Sequence, residues 1–148
     1  MDITEFLAPD EVILDVRAPD KPRLLHDLCQ RAAVKLELDA GVISDAILKR
    51  EALGSTGTGD GIAIPHARVP GVQKPFGLLA RLKRGIDYAA IDEKPVDVVF
   101  LLVLPAATGG EQLNALACVA RKLRDARVMT AVRRARTVGE MFDAMAAQ

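Results

Sequence analysis

The 148-residue sequence contains no tryptophan, one tyrosine and four phenylalanines, although half of its residues are hydrophobic. Its core must therefore be aliphatic, and the chain is long enough to bury one without disulfides or metals. No run of 18 apolar residues occurs, and the N-terminal segment MDITEFLAPDEV lacks the basic and apolar regions of a signal peptide. We therefore expect one cytoplasmic domain over residues 1–148, with no insertion into a membrane.

An excess of charge of either sign is also missing, because 20 basic residues balance 20 acidic ones. This neutrality argues against a general binder of nucleic acids or anionic membranes. Residues 121–136 carry seven basic residues against Asp125, a pattern more typical of a solvated face than of a docking patch. The two cysteines, Cys29 and Cys118, lie far apart in amphipathic helical patterns, which predicts buried free thiols rather than a disulfide or a metal site.

What the chain does contain is a glycine-rich stretch, GSTGTGDGIAIPHAR, over residues 54–68. Its glycines are Gly54, Gly57, Gly59 and Gly61. Glycine tolerates positive φ and close approach of the backbone, which predicts a cradle of N–H groups for an anion. His66 follows the apolar run 62–64, where a buried strand would surface, and Pro65 stiffens the chain before it. Because a neutral imidazole carries one lone pair, the stretch predicts a nucleophilic histidine beside an anion site.

Each of these features also has an ordinary structural interpretation. A lone histidine near a strand end is usually a structural or surface residue, and glycine-rich loops are mostly turns. The stretch does not match known nucleotide-binding loops, since it lacks a Gly-Lys-Ser/Thr ending and no three of its glycines fit Gly-x-Gly-x-x-Gly. The residues by themselves therefore leave the function open.

The hydrophobic pattern predicts an α/β fold, a three-layer α/β/α sandwich in which helices flank both faces of a mixed sheet. An edge strand is predicted at 11–16, a half-exposed strand at 76–82 and a fully buried central strand at 96–104. The loop 67–75, rich in proline and glycine, is expected around His66. Helices are predicted to begin at Asp20, Asp39, Thr108, Asp125 and Thr137.

Two of these helices flank the candidate site in sequence. The helix over 39–53 presents Arg50 in its last turn, immediately before the glycine-rich stretch, and its predicted core face is Val42, Ile43, Ala46, Ile47 and Leu53. The helix that follows the Thr108–Glu111 capping box has a predicted core stripe of Leu113, Leu116, Ala117, Ala120 and Leu123.

The segments Arg50-Glu51, LGSTG over 53–57 and GIAIPHA over 61–67 together resemble the phosphorylation-site signature of the type-2 IIA proteins. These form the fructose/mannitol class of the bacterial phosphotransferase system. The resemblance extends over nearly the whole chain. The GSTG spelling and the lack of an attached domain resemble the nitrogen-related branch of the family more than the sugar-specific branches.

The resemblance implies a phosphotransferase component in which His66 accepts a phosphoryl group from an HPr-like phosphocarrier protein. Neither a metal nor another cofactor is expected, because the donor is itself a phosphohistidine. Arg50 stands where the family places its phosphate-contacting arginine. The hydroxyls of Ser55 and Thr56 and the loop N–H groups around Gly57 are expected to bind the phosphoryl oxygens with it.

The chain departs from the family at Gln112, because family members usually carry a second histidine there, in the first turn of the helix. The amide of Gln112 can donate one N–H to a phosphoryl oxygen, so we expect it to replace the histidine in part. Three functions stay open. They are a nitrogen-related carrier that regulates unknown partner proteins, a sugar-specific IIA that passes phosphate to a IIB domain, and a non-catalytic binding module, which the missing histidine favours.

Overall fold

A computed structural model describes residues 1–107 and 110–147, without the side chains of residues 110–113. The strands are β1 (Val12–Val16), β2 (Gly57–Gly59), β3 (Ile62–Ala63), β4 (His66–Val69), β5 (Phe76–Ile86) and β6 (Val96–Pro105). The helices are α1 (Lys21–Leu36), α2 (Ala40–Leu53), α3 (Gly110–Arg124), α4 (Ala126–Arg134) and α5 (Val138–Ala146). Short 3-10 turns at Ile3–Glu5 and Pro9–Glu11 precede β1.

The strands form one mixed sheet in the order β1-β5-β6-β3-β2, with β4 also paired to β6. β6 runs parallel to β3 and β4 and antiparallel to β5, and β1 is parallel to β5 at the sheet edge. The predicted edge and central strands are therefore confirmed. In the β4–β6 register His66 lies opposite Leu102, so it sits toward the carboxyl end of the central strand.

Alternation along β6 divides the core into two layers. Val99, Leu101 and Val103 pack with α1 and α2, whereas Val98, Phe100 and Leu102 pack with α3, α4 and α5. Because neighbouring side chains of a strand point to opposite faces, an almost entirely apolar strand must be covered on both sides. The three-layer α/β/α sandwich is confirmed. Both cysteines are buried free thiols, as predicted.

Four of the helices start at the polar N-cap residues that the sequence predicted. The N-cap residues Asp20, Asp39, Asp125 and Thr137 accept hydrogen bonds from backbone N–H groups of the first turns of α1, α2, α4 and α5. The predicted cap at Thr108 lies outside the described residues. No helix in the described part of the chain combines the length and apolarity that a membrane span needs.

Several details of the predicted packing were wrong. In α2 only Ile43 and Ile47 are fully buried, whereas Val42 is 43% and Leu53 86% exposed. In α3 the face that packs inward is Ala115, Cys118, Val119 and Leu123, while Ala117 is exposed. The residues 67–69, predicted as loop, continue β4, and β5 is buried through most of its first half. A helical period reveals an apolar stripe, but it does not reveal how much of that stripe a neighbour covers.

Candidate functional site

His66 is the first residue of β4, and its side chain is half-buried. Pro65 separates β3 from β4, and its carbonyl accepts a hydrogen bond from the Leu102 N–H at 2.9 Å, which fixes the chain against β6. The Nδ1 atom of His66 lies 2.7 Å from the carbonyl oxygen of Ile64. A carbonyl can only accept, so Nδ1 carries the hydrogen and the lone pair of the neutral ring is on Nε2.

His66 lines a groove of about 740 Å³ between α2, β4 and α3. The exposed apolar residues Val42 and Leu53 of α2 lie along one side, and Leu116 of α3 contributes from the opposite layer of the sandwich. The groove therefore lies where both helical layers meet the carboxyl end of β6. The apolar residues that the sequence assigned to the core form its wall instead.

Arg50 lines the same groove as His66. It lies in the last turn of α2, and its Nη1 donates a hydrogen bond to the carbonyl oxygen of Gly54 at 2.8 Å. A guanidinium has five N–H donors in a planar fork, so this contact orients the group and leaves donors for an anion in the groove. The structure thus brings together Arg50 and His66, 16 positions apart in the sequence.

Ser55, Thr56 and Gly57 do not belong to the wall of this groove. Thr56 is 4% exposed, and its hydroxyl hydrogen-bonds to the Glu51 carboxylate and lies 3.0 Å from the Tyr88 hydroxyl. The Ser55 hydroxyl accepts from the Gly57 N–H at 3.1 Å. A Cβ at Gly57 would lie 2.8 Å from Ala90 Cα, so close packing requires this glycine. The phosphate-binding role of the three residues stays a prediction.

The predicted glycine cradle was wrong for Gly59 and Gly61. Gly59 (φ 106°) is the last residue of β2, and Gly61 (φ 81°) lies in the turn between β2 and β3. That turn lies at the amino end of β6, where Arg133 donates to the Asp60 carbonyl at 2.7 Å and to Asp97 at 2.9 Å. Ile62 pairs with Val98 and His66 with Leu102, four residues further along β6, or about 13 Å. The intervening strand carries these glycines away from the histidine.

Sequence reasoning gave no role to a buried cluster formed by Glu51, Lys21, Thr56 and Tyr88. The Glu51 carboxylate accepts hydrogen bonds from Lys21 Nζ at 2.8 Å, the Tyr88 hydroxyl at 2.9 Å, the Thr56 N–H at 3.2 Å and the Thr56 hydroxyl. Burial by itself would raise the pKa of Glu51, but the hydrogen bonds from Lys21, Thr56 and Tyr88 outweigh it and hold this pKa below its ordinary value. The signal in the sequence was the acidic residue directly after Arg50.

Gln112 lies in the first turn of α3, the helix that contributes Leu116 to the groove. Its side chain is outside the described part of the structure, so its contact with phosphate stays a prediction. Within the described residues, no three His, Cys, Asp or Glu side chains cluster as a metal site would require. Besides His66 and Arg50, the charged residues that line the groove are Lys49, Arg68 and Asp45.

Comparisons with known proteins identify the family of this chain. The family described as "Phosphoenolpyruvate-dependent sugar phosphotransferase system, EIIA 2" matches residues 5–147. The nitrogen regulatory protein of Bradyrhizobium diazoefficiens is 38% identical over 146 residues, which cover 99% of this chain and 95% of the relative. The fructose-specific EIIA component of Haloferax volcanii is 35% identical over 131 residues, covering 83% of this chain and 82% of the relative.

Solved structures show the same fold. The crystal structure of the nitrogen regulatory protein IIA-Ntr from Neisseria meningitidis superposes with a TM-score of 0.91 at 29% identity, covering 97% of this chain and 98% of the other. The mannitol IIA structure from Escherichia coli has a TM-score of 0.75 at 20% identity, with 95% and 99% covered, and supports the fold alone. Together with the match over residues 5–147, these likenesses show that the chain belongs to the EIIA type-2 family of the phosphotransferase system.

Proposed function

We propose that this protein is a phosphohistidine carrier of a nitrogen-related phosphotransferase system, with His66 as acceptor and an HPr-like phosphocarrier protein as donor. The observation that carries the proposal is the 2.7 Å contact from Nδ1 of His66 to the Ile64 carbonyl, in a groove that Arg50 also lines. The relatives named nitrogen regulatory protein support this branch. In this proposal the carrier regulates its partner proteins by binding them in either its phosphorylated or its unphosphorylated form.

The reaction needs one nucleophilic nitrogen and no metal. Nε2 of His66 attacks the phosphorus of the donor phosphohistidine, the donor P–N bond breaks, and the donor nitrogen keeps the electron pair. Nδ1 retains its hydrogen throughout, so the phosphorylated ring gains positive charge. The Ile64 carbonyl dipole, 2.7 Å from Nδ1, stabilises that charge. The phosphate is therefore expected on Nε2.

Arg50 supplies charge to the transferred group. Phosphoryl transfer is catalysed mainly by positioning and by stabilising charge on the three equatorial oxygens. A guanidinium tied by one N–H to the Gly54 carbonyl is oriented before the donor arrives, and a charge-assisted hydrogen bond contributes about 1.5–3 kcal/mol. Ser55, Thr56, Gly57 and Gln112 complete the proposed phosphate-binding set. The Thr56 N–H donates to Glu51 and the Gly57 N–H to the Ser55 hydroxyl, so these two groups would bind phosphate only by giving up those contacts.

The donor protein is proposed to cover the groove wall. Val42 and Leu53 are 43% and 86% exposed beside His66, and Leu104 and Leu116 line the same groove. Exposed apolar side chains around a polar centre are typical of protein docking sites. Docking there would exclude water from the groove during transfer, which strengthens the contact between Arg50 and the phosphoryl group.

A sugar-specific IIA is the second candidate, favoured by the fructose-specific relative from Haloferax volcanii. Such a protein would pass its phosphate to a IIB domain. We further propose that residues 1–148 form one domain of the family, since the match spans 5–147. A cytoplasmic location fits the free thiols of Cys29 and Cys118, which persist in a reducing compartment.

The test is incubation of the protein with phosphorylated HPr, followed by intact-mass measurement and NMR identification of the phosphohistidine isomer. We expect one phosphoryl group on Nε2 of His66. Candidate IIB domains are then added. Retention of the phosphate supports the regulatory branch, whereas rapid onward transfer supports the sugar-specific candidate. A wild-type protein that accepts no phosphate would be a binding module, and the proposed function would be wrong.

A further inference from the structure

The buried cluster of Glu51, Lys21, Thr56 and Tyr88, called here the Glu51 cluster, joins four parts of the fold next to Arg50. Lys21 begins α1, Glu51 belongs to the last turn of α2, and Thr56 and Tyr88 lie in the segments that precede β2 and follow β5. The Glu51 side chain is 6% exposed and Tyr88 is fully buried. Lys21 Nζ also lies 4.2 Å from the centre of the Tyr88 ring. The cluster is thus fixed from several sides.

Glu51 makes hydrogen bonds to two points of the segment that follows Arg50, namely Gly54 and Thr56. Its backbone carbonyl accepts from the Gly54 N–H at 3.1 Å, and its carboxylate accepts from the Thr56 N–H at 3.2 Å. Arg50 in turn donates to the Gly54 carbonyl at 2.8 Å. The contact with Gly54 is a backbone one that any residue at position 51 would make, so the Glu51 side chain acts on this segment through Thr56, two residues after Gly54. The orientation of the guanidinium depends in turn on Gly54.

The partners of Glu51 also keep its charge away from Arg50. A carboxylate on the next residue could compete with a phosphoryl group for the guanidinium, because Arg–carboxylate pairs are strong. Here Lys21, Tyr88 and the N–H and hydroxyl of Thr56 occupy the carboxylate. Among the contacts of the described residues, Arg50 pairs with Gly54 and makes no ion pair with Glu51. The arginine donors stay available to the groove.

From these contacts we propose that Glu51 is a positioning residue for phosphoryl transfer, which fixes the Arg50 guanidinium at the His66 groove through the Glu51 cluster. The inference rests on the proposed function, because Arg50 acts there on the phosphoryl group. Glu51 touches no reacting atom in this role. Its effect on transfer must therefore pass through Arg50, and that dependence can be measured.

The experiment is a double-mutant cycle with wild type, Glu51→Gln, Arg50→Ala and the double variant. Transfer rates from phosphorylated HPr are measured over a range of donor concentrations. Glutamine keeps the shape of the side chain but replaces one acceptor oxygen with an NH₂ group. We expect Glu51→Gln to lower the maximal transfer rate roughly tenfold with little change in KM. When Arg50 is already alanine, the same substitution should lower the maximal rate by less than about twofold.

Glu11→Gln is the matched control. Glu11 is also a buried carboxylate, 6% exposed, and it pairs with Lys35 at 3.4 Å in the turn before β1. Its replacement should lower stability while the transfer rate stays at the wild-type value. Tyr88→Phe removes a single donor to Glu51, at 2.9 Å, and keeps the ring. Tyr88→Phe should lower the transfer rate by a smaller factor than Glu51→Gln does. It replaces Glu51→Gln in the test if that variant does not fold.

Two kinetic results would overturn the proposal. One is a wild-type rate for Glu51→Gln, or for Tyr88→Phe if that variant replaces it. The other is a transfer rate that Glu51→Gln lowers by the same factor whether residue 50 is arginine or alanine. If wild type accepts no phosphoryl group, the proposed function fails by itself. The orientation of Arg50 by Glu51 is then tested separately by the Arg50 Nε–H NMR resonance: an unchanged resonance in Glu51→Gln overturns it, and a shifted one supports it.

Discussion

Replacement of Glu51 by glutamine is also expected to lower the stability of the fold, by an amount that depends on pH. The carboxylate accepts from Lys21, Tyr88 and twice from Thr56, and it is 6% exposed. Removing one partner of a buried ion pair costs about 3–5 kcal/mol. Lys21 is 21% exposed and can regain water, and glutamine keeps one acceptor oxygen. We therefore expect a loss of about 2–3 kcal/mol near neutral pH.

The pH dependence follows from the direction of the Glu51 pKa shift. The folded pKa lies below the ordinary value of 4.5, so the native carboxylate binds its proton less readily than the unfolded one. Its contribution to stability is complete above the unfolded pKa and is lost as pH falls through the folded pKa. Glutamine cannot titrate. The difference between wild type and Glu51→Gln should therefore be constant near neutral pH and shrink below about pH 4.5.

The assay is equilibrium urea unfolding of both proteins at several pH values, with Glu11→Gln as a second buried carboxylate variant. For a chain of this size, a loss of 2–3 kcal/mol corresponds to a fall in Tm of roughly 4–12 °C. If Glu51→Gln unfolds at the wild-type urea concentration at neutral pH, the Glu51 carboxylate does not stabilise the fold. A difference that stays unchanged into the acid range would refute the assigned cause, because the carboxylate charge would then not be responsible.

The remaining predictions concern the transfer site. His66→Ala should remove the single acid-labile, base-stable phosphate and leave the fold intact, as intact mass and circular dichroism will show; undiminished labelling would exclude His66 as acceptor. Arg50→Ala should slow transfer roughly tenfold to a hundredfold, from the loss of about 1.5–3 kcal/mol, and Arg50→Lys should be intermediate because it keeps charge without the planar fork. Equal rates for both Arg50 variants and wild type would make Arg50 only a helix-terminal charge. Gln112→His should change the rate by less than about tenfold and add a second titration to the pH profile. If Gln112→Ala matches wild type in rate and phosphohistidine lifetime, Gln112 has no role.

Much of the layout was determined by the sequence itself. The apolar run over 96–104 can be buried only as a central strand covered on both faces, and the N-cap residues Asp20, Asp39 and Thr137 mark helix starts by local hydrogen bonds. The proximity of Arg50 and His66 was suggested by the place of Arg50 directly before the glycine-rich stretch, and the family resemblance strengthened it. Local patterns are sufficient to place these strands and helix starts, because helix caps and strand alternation depend on residues only a few positions apart.

Only the tertiary structure decided what the glycine-rich stretch does. The β2–β3 turn takes Gly59 and Gly61 to the amino end of β6, because strand pairing sets direction over the whole sheet. Thr56 turns its hydroxyl toward Tyr88, 32 positions away in the chain, and Leu53 stays 86% exposed on the groove wall. A pattern identifies residues that are able to pack or to bind, whereas their partners are chosen by elements that are distant in sequence. Burial and hydrogen bonding at this site were therefore set by long-range packing.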